Sequence, residues 1–231
     1  MSTYHKFKTV KLHYGKYLYK LQLYNLLAHI FRTEFQRGGK LSYAKDCLNE
    51  YNAMLESGQI IKRSKWTTSV IPTTHLEDAN VIYKKLRYSK DYLVRVECNS
   101  LIIYSNNKKF LMNIADNIKL QPVDFWEPDE TITSYLKNNE KVIVVDKPTE
   151  YMYKVTFGRK RAKPELATWL EANTDKSKAG RIFKENCKNS NYINGQYVYL
   201  RDDKVLFLLN MIAGDNVTRV DKLIYRNDIN S

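Results

Sequence analysis

The chain has 231 residues, 43% of them hydrophobic, which is enough to bury a core in one large domain or two small ones. Lys and Arg number 38 against 25 Asp and Glu, and the net charge of +13 indicates an acidic partner: nucleic acid first, then an anionic membrane or an acidic protein. Apolar runs fall short of the roughly 18 residues of a membrane span, and the N-terminus has no apolar signal segment, so we expect neither a membrane protein nor a secreted one.

The first predicted element is a hairpin around Gly15 and Lys16. Residues alternate between apolar and polar over 10–14 and again over 17–23, which is typical of two strands with a tyrosine-rich inner face. Tyrosine and lysine interleaved on strands can form a surface for base stacking. Half-buried tyrosine packing is the alternative, and the sequence leaves both open.

Two helices and a basic strand are predicted next. Apolar residues at helical spacing occupy 26–35 and 41–55, and the strand covers 60–66. The order is that of a winged helix-turn-helix without its first helix, a pattern that many other folds share. Lysines that protect an edge strand from aggregation are the alternative explanation of its charge. The candidate nucleic-acid-binding residues of this strand are Lys62, Arg63, Lys65 and Trp66.

The central and C-terminal elements alternate between strands and helices. A capping box at Thr74 and Glu77 predicts a helix through Leu86. The strand–break–helix order over 92–118 recurs over 197–211, too weakly to establish a duplication from sequence. We therefore predict an α+β fold of two small modules, each a mixed or antiparallel sheet with helices on one face, with a ferredoxin-like arrangement as one form of it.

The stretch 151–173 carries the strongest candidate site. Alternation over 151–157 predicts a strand, and Pro164 opens a short helix. The loop between them leads into a helix N-terminus, where unpaired amides and the helix dipole favour anions. A solvated surface loop is the alternative. The cations predicted to contact phosphate in this loop are Arg159, Lys160, Arg161 and Lys163.

An acidic, proline-containing stretch at 124–130 indicates a domain boundary. Residues 1–90 have a net charge of +10, residues 91–150 of −3 and residues 151–231 of +6. We predict a basic N-terminal domain over 1–125 and a basic C-terminal domain over 126–231. A single domain with a long internal loop stays open.

Catalytic and metal-binding patterns are sparse. The three cysteines Cys47, Cys98 and Cys187 are far apart, which argues against disulfides and for a reducing, cytoplasmic location. The four histidines form no HxH or HxxxH pair, so neither a metal nor another cofactor is indicated. Asp202 and Asp203 most simply cap the helix that follows them, and they keep a metal-dependent nuclease as a lesser alternative.

These observations favour a non-enzymatic nucleic-acid-binding protein that contacts the phosphate backbone of DNA or RNA. Lys, Asn, Ile and Tyr, the residues of AT-rich codons, are used heavily, which suggests a phage or viral origin and explains part of the basicity. The alternative is a structural or assembly component of a virion type, which forms homo-oligomers or binds an acidic protein through its basic faces.

Overall fold

The computed structural model describes residues 4–32, 41–62 and 69–229, and the chain divides into two compact units, Met1–Asp129 and Glu130–Ser231. Each unit contains one five-stranded mixed sheet together with helices, so the predicted α+β class is confirmed. The strand order does not establish the ferredoxin-like arrangement. Within the described ranges, no helix is both long enough and apolar enough to cross a membrane.

The first unit is built on a sheet with strand order β1-β5-β2-β4-β3. Strands β1 and β5 are parallel, and the other neighbours are antiparallel. Its strands and α-helices in the described ranges are β1 (Tyr4–Thr9), β2 (Tyr19–Tyr24), α1 (Ser42–Glu56), α2 (Thr73–Arg87), β3 (Leu93–Glu97), β4 (Ser100–Ser105), α3 (Lys108–Asn117) and β5 (Val123–Pro128).

The core of the first unit lies between one face of this sheet and the helices. Leu21 of β2 and Ile103 of β4 point to this face, where they join Leu48 of α1, Leu76 of α2 and Ile114 of α3. Burial of each such side chain stabilises the fold by about 1.5–3 kcal/mol. Because side chains alternate along a strand, the intervening residues point to the opposite face, which we call the outer face.

The second unit is built on a sheet with strand order β6-β10-β7-β9-β8. Strands β6 and β10 are parallel, and the other neighbours are antiparallel. Its strands and α-helices in the described ranges are α4 (Glu130–Asn138), β6 (Val142–Val145), β7 (Tyr153–Phe157), α5 (Pro164–Ala172), β8 (Ser177–Ala179), α6 (Arg181–Lys188), β9 (Tyr197–Leu200), α7 (Asp203–Ala213) and β10 (Val217–Tyr225).

Helices α5, α6 and α7 cover one face of strands β7, β9 and β8. Val155 and Val198 of the sheet are buried against Leu166 of α5, Phe183 of α6 and Leu209 of α7. The opposite side of these three strands is the outer face of the second sheet.

The two sheets have the same topology. Adding five to each strand number of the first order gives the second, and the parallel and antiparallel pairs correspond one to one. The helix between the last two strands begins alike in both units, because Asn107 accepts a hydrogen bond from Phe110 N and Asp202 accepts one from Val205 N, each at 3.0 Å. The structure therefore shows the internal repeat that was too weak to establish from sequence.

Several local predictions were wrong. The hairpin predicted over 10–23 does not form, since residues 10–14 are not a strand and the turn at Gly15 closes only a single bridge between His13 and Tyr17. The predicted capping box does not cap α2, which begins at Thr73 after Pro72 with no side-chain cap. The stretch predicted as a linker forms β5, which lies between β1 and β2.

Candidate nucleic-acid interface

The basic loop, residues 159–163, connects β7 to α5. Gly158 follows the end of β7 and lies close to the start of β10. A Cβ at this position would lie 2.7 Å from Thr218 Cγ2 and 3.2 Å from Asn216 Oδ1. A side chain at this position would have to displace the Thr218 side chain or shift β7, which favours glycine where the loop begins.

Hydrogen bonds hold the backbone of the basic loop on two sides. The Asn216 side chain, which is buried, accepts a hydrogen bond from Lys160 N at 3.2 Å and donates one to Lys160 O at 3.1 Å. Asn216 O accepts a third from Gly158 N at 2.7 Å, and on the other side Ala162 N donates to Asn191 O at 2.9 Å. The loop is thus fixed in one conformation, which reduces the entropy lost when its side chains bind a ligand.

The predicted cations of this loop are all exposed, but two of them share a carboxylate. Lys160 Nζ lies 3.4 Å and Lys163 Nζ 3.2 Å from the side chain of Asp215, which is half exposed. Hydrogen bonds from Lys163 and Lys160 lower the pKa of Asp215, so the carboxylate is negatively charged at neutral pH. One acidic group therefore offsets one of the four positive charges, and the loop retains a net positive charge.

The two arginines of the loop are not neutralised in this way. Arg159 is exposed and makes no ion pair within the described part of the chain. The guanidinium carbon of Arg161 lies 5.2 Å from the ring centroid of Tyr192, which is 61% exposed. A cation–π contact of this kind holds the guanidinium in place without reducing its charge.

The N-terminus of α5 is a weaker anion site than the sequence suggested. Pro164 occupies the first turn as predicted, and Lys163 is the N-cap without a side-chain cap bond. Leu166 N already donates to Lys163 O at 3.0 Å, and Glu165 places a carboxylate in the first turn. The helix therefore supplies its own negative charge, and the side chains of the loop are the better phosphate contacts.

The other predicted patch is described only at one residue. Lys62 is exposed and forms a single bridge with Val70 instead of lying in a strand. Arg63, Lys65 and Trp66 lie outside the described residues.

The sequence analysis did not identify the outer face of the second sheet as a site. Lys154 and Lys178 both pair with Tyr199, one from each neighbouring strand, and Tyr197 is the next residue of β9 on this face. Lys154 Nζ lies 3.7 Å from the ring centroid of Tyr197 and 5.8 Å from that of Tyr199. The signal was present in the alternation of Tyr197, Val198, Tyr199 and Leu200, which we interpreted only as a strand.

The outer face of the first sheet has a related arrangement at the equivalent position. Lys20 pairs with Tyr104, and its Nζ lies 3.6 Å from the ring centroid of Trp126. Phe7 stacks on Trp126 with 4.7 Å between centroids, and it is 42% exposed. Burial lowers the pKa of Lys20, an effect that Glu97 and Asp124 oppose.

The residues considered for catalysis have structural roles. Asp202 caps α7, and Asp203 Oδ1 accepts a hydrogen bond of 2.6 Å from Tyr153 Oη. In the described ranges, no group of three or more His, Cys, Asp and Glu side chains is placed to hold a metal ion. Burial, with smaller effects from Lys20 and Lys11, lowers the pKa of His13 to about 4.

Comparison with protein-family models, with curated proteins and with solved structures gives no match for this chain.

Proposed function

We propose that this protein binds nucleic acid, DNA or RNA, through contacts of the basic loop with backbone phosphates. The observation that supports the proposal is the hydrogen-bonded backbone between Gly158 and Ala162, which displays four exposed cations, two of them paired with the carboxylate of Asp215. A net charge of +5 on residues 130–231 extends the attraction beyond the loop.

The side chains of the loop suit phosphate better than a carboxylate-bearing protein surface. Arg159 and Arg161 each offer a planar set of donors that can bind two oxygens of one phosphate. Lys160 and Lys163 add point charges to the same short segment. Phosphate contacts fix the position of a nucleic acid without reading its sequence, so we expect strong salt dependence and weak sequence preference.

The proposal is tested by replacing Arg159 and Arg161 with alanine and measuring affinity over a range of salt concentrations. The loss of two phosphate contacts makes the slope of log K against log[salt] less negative by about 1.4 for a single strand and about 1.8 for a duplex. The control variant replaces Arg87 and Arg181, two exposed arginines outside the basic loop, so that the same charge is removed.

Fluorescence anisotropy with labelled oligonucleotides gives both slopes. The proposal predicts a reduced slope only in the loop variant. An equal reduction of the slope in both variants would show that overall charge, and not the loop, determines binding. The absence of wild-type binding at low salt would refute the proposal.

The assembly alternative is supported by one surface of the second unit. Phe207 and Met211 lie one turn apart on α7 and are 66% and 71% exposed, and Leu208 beside them is 46% exposed. Apolar side chains grouped in this way are typical of protein contacts. The mass in solution tests this alternative: an oligomer that dissociates when Phe207 and Met211 become serine would support it, whereas a monomer of 27.3 kDa would oppose it.

A further inference from the structure

The outer face of the second sheet combines aromatic rings with lysines in a regular row. The register places Lys154, Tyr199 and Lys178 side by side across β7, β9 and β8. Tyr197 lies one step along β9, opposite Thr156, and is 43% exposed. Tyr197 and Tyr199 meet edge to face, with 5.4 Å between ring centroids. Rings and cations therefore alternate on the side of the sheet opposite α5, α6 and α7.

The charge of this face favours an anion. Asp221 is the carboxylate that the register places beside Lys154, but it is 1% exposed and accepts a hydrogen bond of 2.6 Å from Arg219 Nε. A second carboxylate, that of Glu150, is hydrogen-bonded to Tyr151. Lys178 is exposed, and Lys154 is close to both rings. A ligand of this face thus meets tyrosine rings with positive charge next to them.

The internal repeat provides a comparison for this face, since the first sheet has the same lysine–tyrosine pair at the equivalent position. There, Lys20 pairs with Tyr104, and Tyr17 lies near Tyr104 at 6.4 Å between centroids, as Tyr151 lies near Tyr199 at 6.1 Å. The pairing of a central-strand lysine with a tyrosine of the next strand is therefore a repeated feature of the fold.

The two faces differ in what covers the equivalent tyrosine. In the first sheet, the ring of Tyr14 packs on Tyr104 edge to face at 5.0 Å, and Tyr104 is 6% exposed. In the second sheet, Tyr199 is only half buried, and its neighbour Tyr197 is exposed. The first sheet thus covers Tyr104 with its own aromatic side chains, whereas in the second sheet the ring of Tyr199 stays partly exposed beside Tyr197.

We propose that the outer face of the second sheet binds single-stranded nucleic acid, with a base stacked on Tyr197 and phosphates near Lys154 and Lys178. The inference rests on the proposed function and assigns its substrate class. Stacking requires an unpaired base, because the faces of paired bases are occupied by their neighbours in a duplex. Thr156, which pairs with Tyr197, precedes Arg159 by three residues, so the face adjoins the strand end that leads into the basic loop.

The test compares Tyr197→Leu with Tyr197→Phe and with Tyr43→Leu. Tyr43 lies on α1 and is 44% exposed, which matches the exposure of Tyr197. The probes are single-stranded DNA, single-stranded RNA and a mixed-sequence duplex. Loss of one base–aromatic stack lowers affinity for at least one of the single strands by about 5- to 150-fold. We expect Tyr197→Phe and Tyr43→Leu to bind as the wild type does, and duplex affinity to stay within about two-fold in all variants.

A second measurement does not depend on a variant. Photocrosslinking of wild-type protein to a strand that contains 5-iodouracil, followed by mass spectrometry, is expected to label Tyr197 or Tyr199. The inference is overturned if crosslinks fall elsewhere, or if Tyr197→Leu weakens single strand and duplex equally or leaves both unchanged. In those cases the proposed function still stands when Arg159 and Arg161 remain necessary for binding. Absence of binding to all three probes would refute both.

Discussion

Replacement of Asp215 by asparagine is expected to strengthen nucleic-acid binding. The carboxylate lies 3.4 Å from Lys160 Nζ and 3.2 Å from Lys163 Nζ, so it competes with phosphate for both lysines. Asparagine removes the charge with almost no change in shape. The two lysines are then available to the ligand, and the loop gains one positive charge.

The size of the effect follows from the two contacts released. Exposed ion pairs are worth roughly 0.2–1 kcal/mol each, so two of them raise the affinity by about 2- to 30-fold. Two further phosphate contacts also steepen the slope of log K against log[salt] by up to about 1.4 for a single strand.

Anisotropy titrations at several salt concentrations measure both quantities. The control is Asp175→Asn, which changes the net charge equally and follows the C-terminal end of α5, whereas the basic loop precedes its N-terminal end. An unchanged slope in Asp215→Asn would show that Lys160 and Lys163 do not contact phosphate. Equal tightening by Asp175→Asn would show that overall charge, and not this ion pair, controls binding.

Three further predictions concern stability and the position of the loop. First, the pKa of His13 is lowered to about 4 in the folded protein, so as the pH falls from 6.5 the unfolded chain binds a proton before the folded one does. The free energy of unfolding of the first unit is therefore expected to fall by up to about 3 kcal/mol between pH 6.5 and pH 4. Urea unfolding of His13→Gln is expected to show a smaller loss, and parallel pH profiles for the two proteins would contradict this. Second, Asp221 is buried and its partner Arg219 is partly buried, so Asp221→Asn removes the counter-charge of Arg219 and is expected to cost about 1–3 kcal/mol in urea unfolding of the second unit, against less than about 1 kcal/mol for the exposed Glu171→Gln. An equal cost in both variants would refute the second prediction. Third, Gly158→Ala forces the chain away from Thr218 and is expected to weaken nucleic-acid binding, and unchanged affinity would show that the loop position does not matter.

Local structure was predictable from the sequence where one pattern determines it. The strand–break–helix order over 197–211 predicted β9 and α7, and Pro164 predicted the start of α5. Asp202 was correctly predicted as a cap. In each case the determining contacts lie within a few residues along the chain.

Long-range pairing was not predictable in the same way. A hairpin around Gly15 has a reasonable local pattern, yet residues 10–14 form no strand, and β2 pairs with β4 and β5 far along the chain. The stretch 124–130 contains acidic residues and a proline typical of a linker, but Phe125 is buried in the core of the first unit. Tertiary burial overrides local preference in strands, and the order of strands in a sheet leaves little trace in sequence.

The candidate site was predictable only in part, because some of its residues are neighbours in sequence and others are not. The cations of the basic loop are consecutive, so the sequence showed them directly. The residues that contact the loop are distant in sequence, and only the fold shows them. Asp215 pairs with its lysines, Asn216 holds its backbone and Tyr192 contacts Arg161. The lysine–tyrosine row of the second sheet depends on the register of three strands, which a single sequence does not provide.

The salt dependence of binding to a single-stranded oligonucleotide, measured side by side for the wild type and for the variant with Arg159 and Arg161 replaced by alanine, tests the central claim most directly. We predict a linear fall of log K with log[salt] for the wild type, and a slope less negative by about 1.4 for the variant. Identical slopes for the two proteins, or no binding by the wild type at about 50 mM salt, would contradict the account.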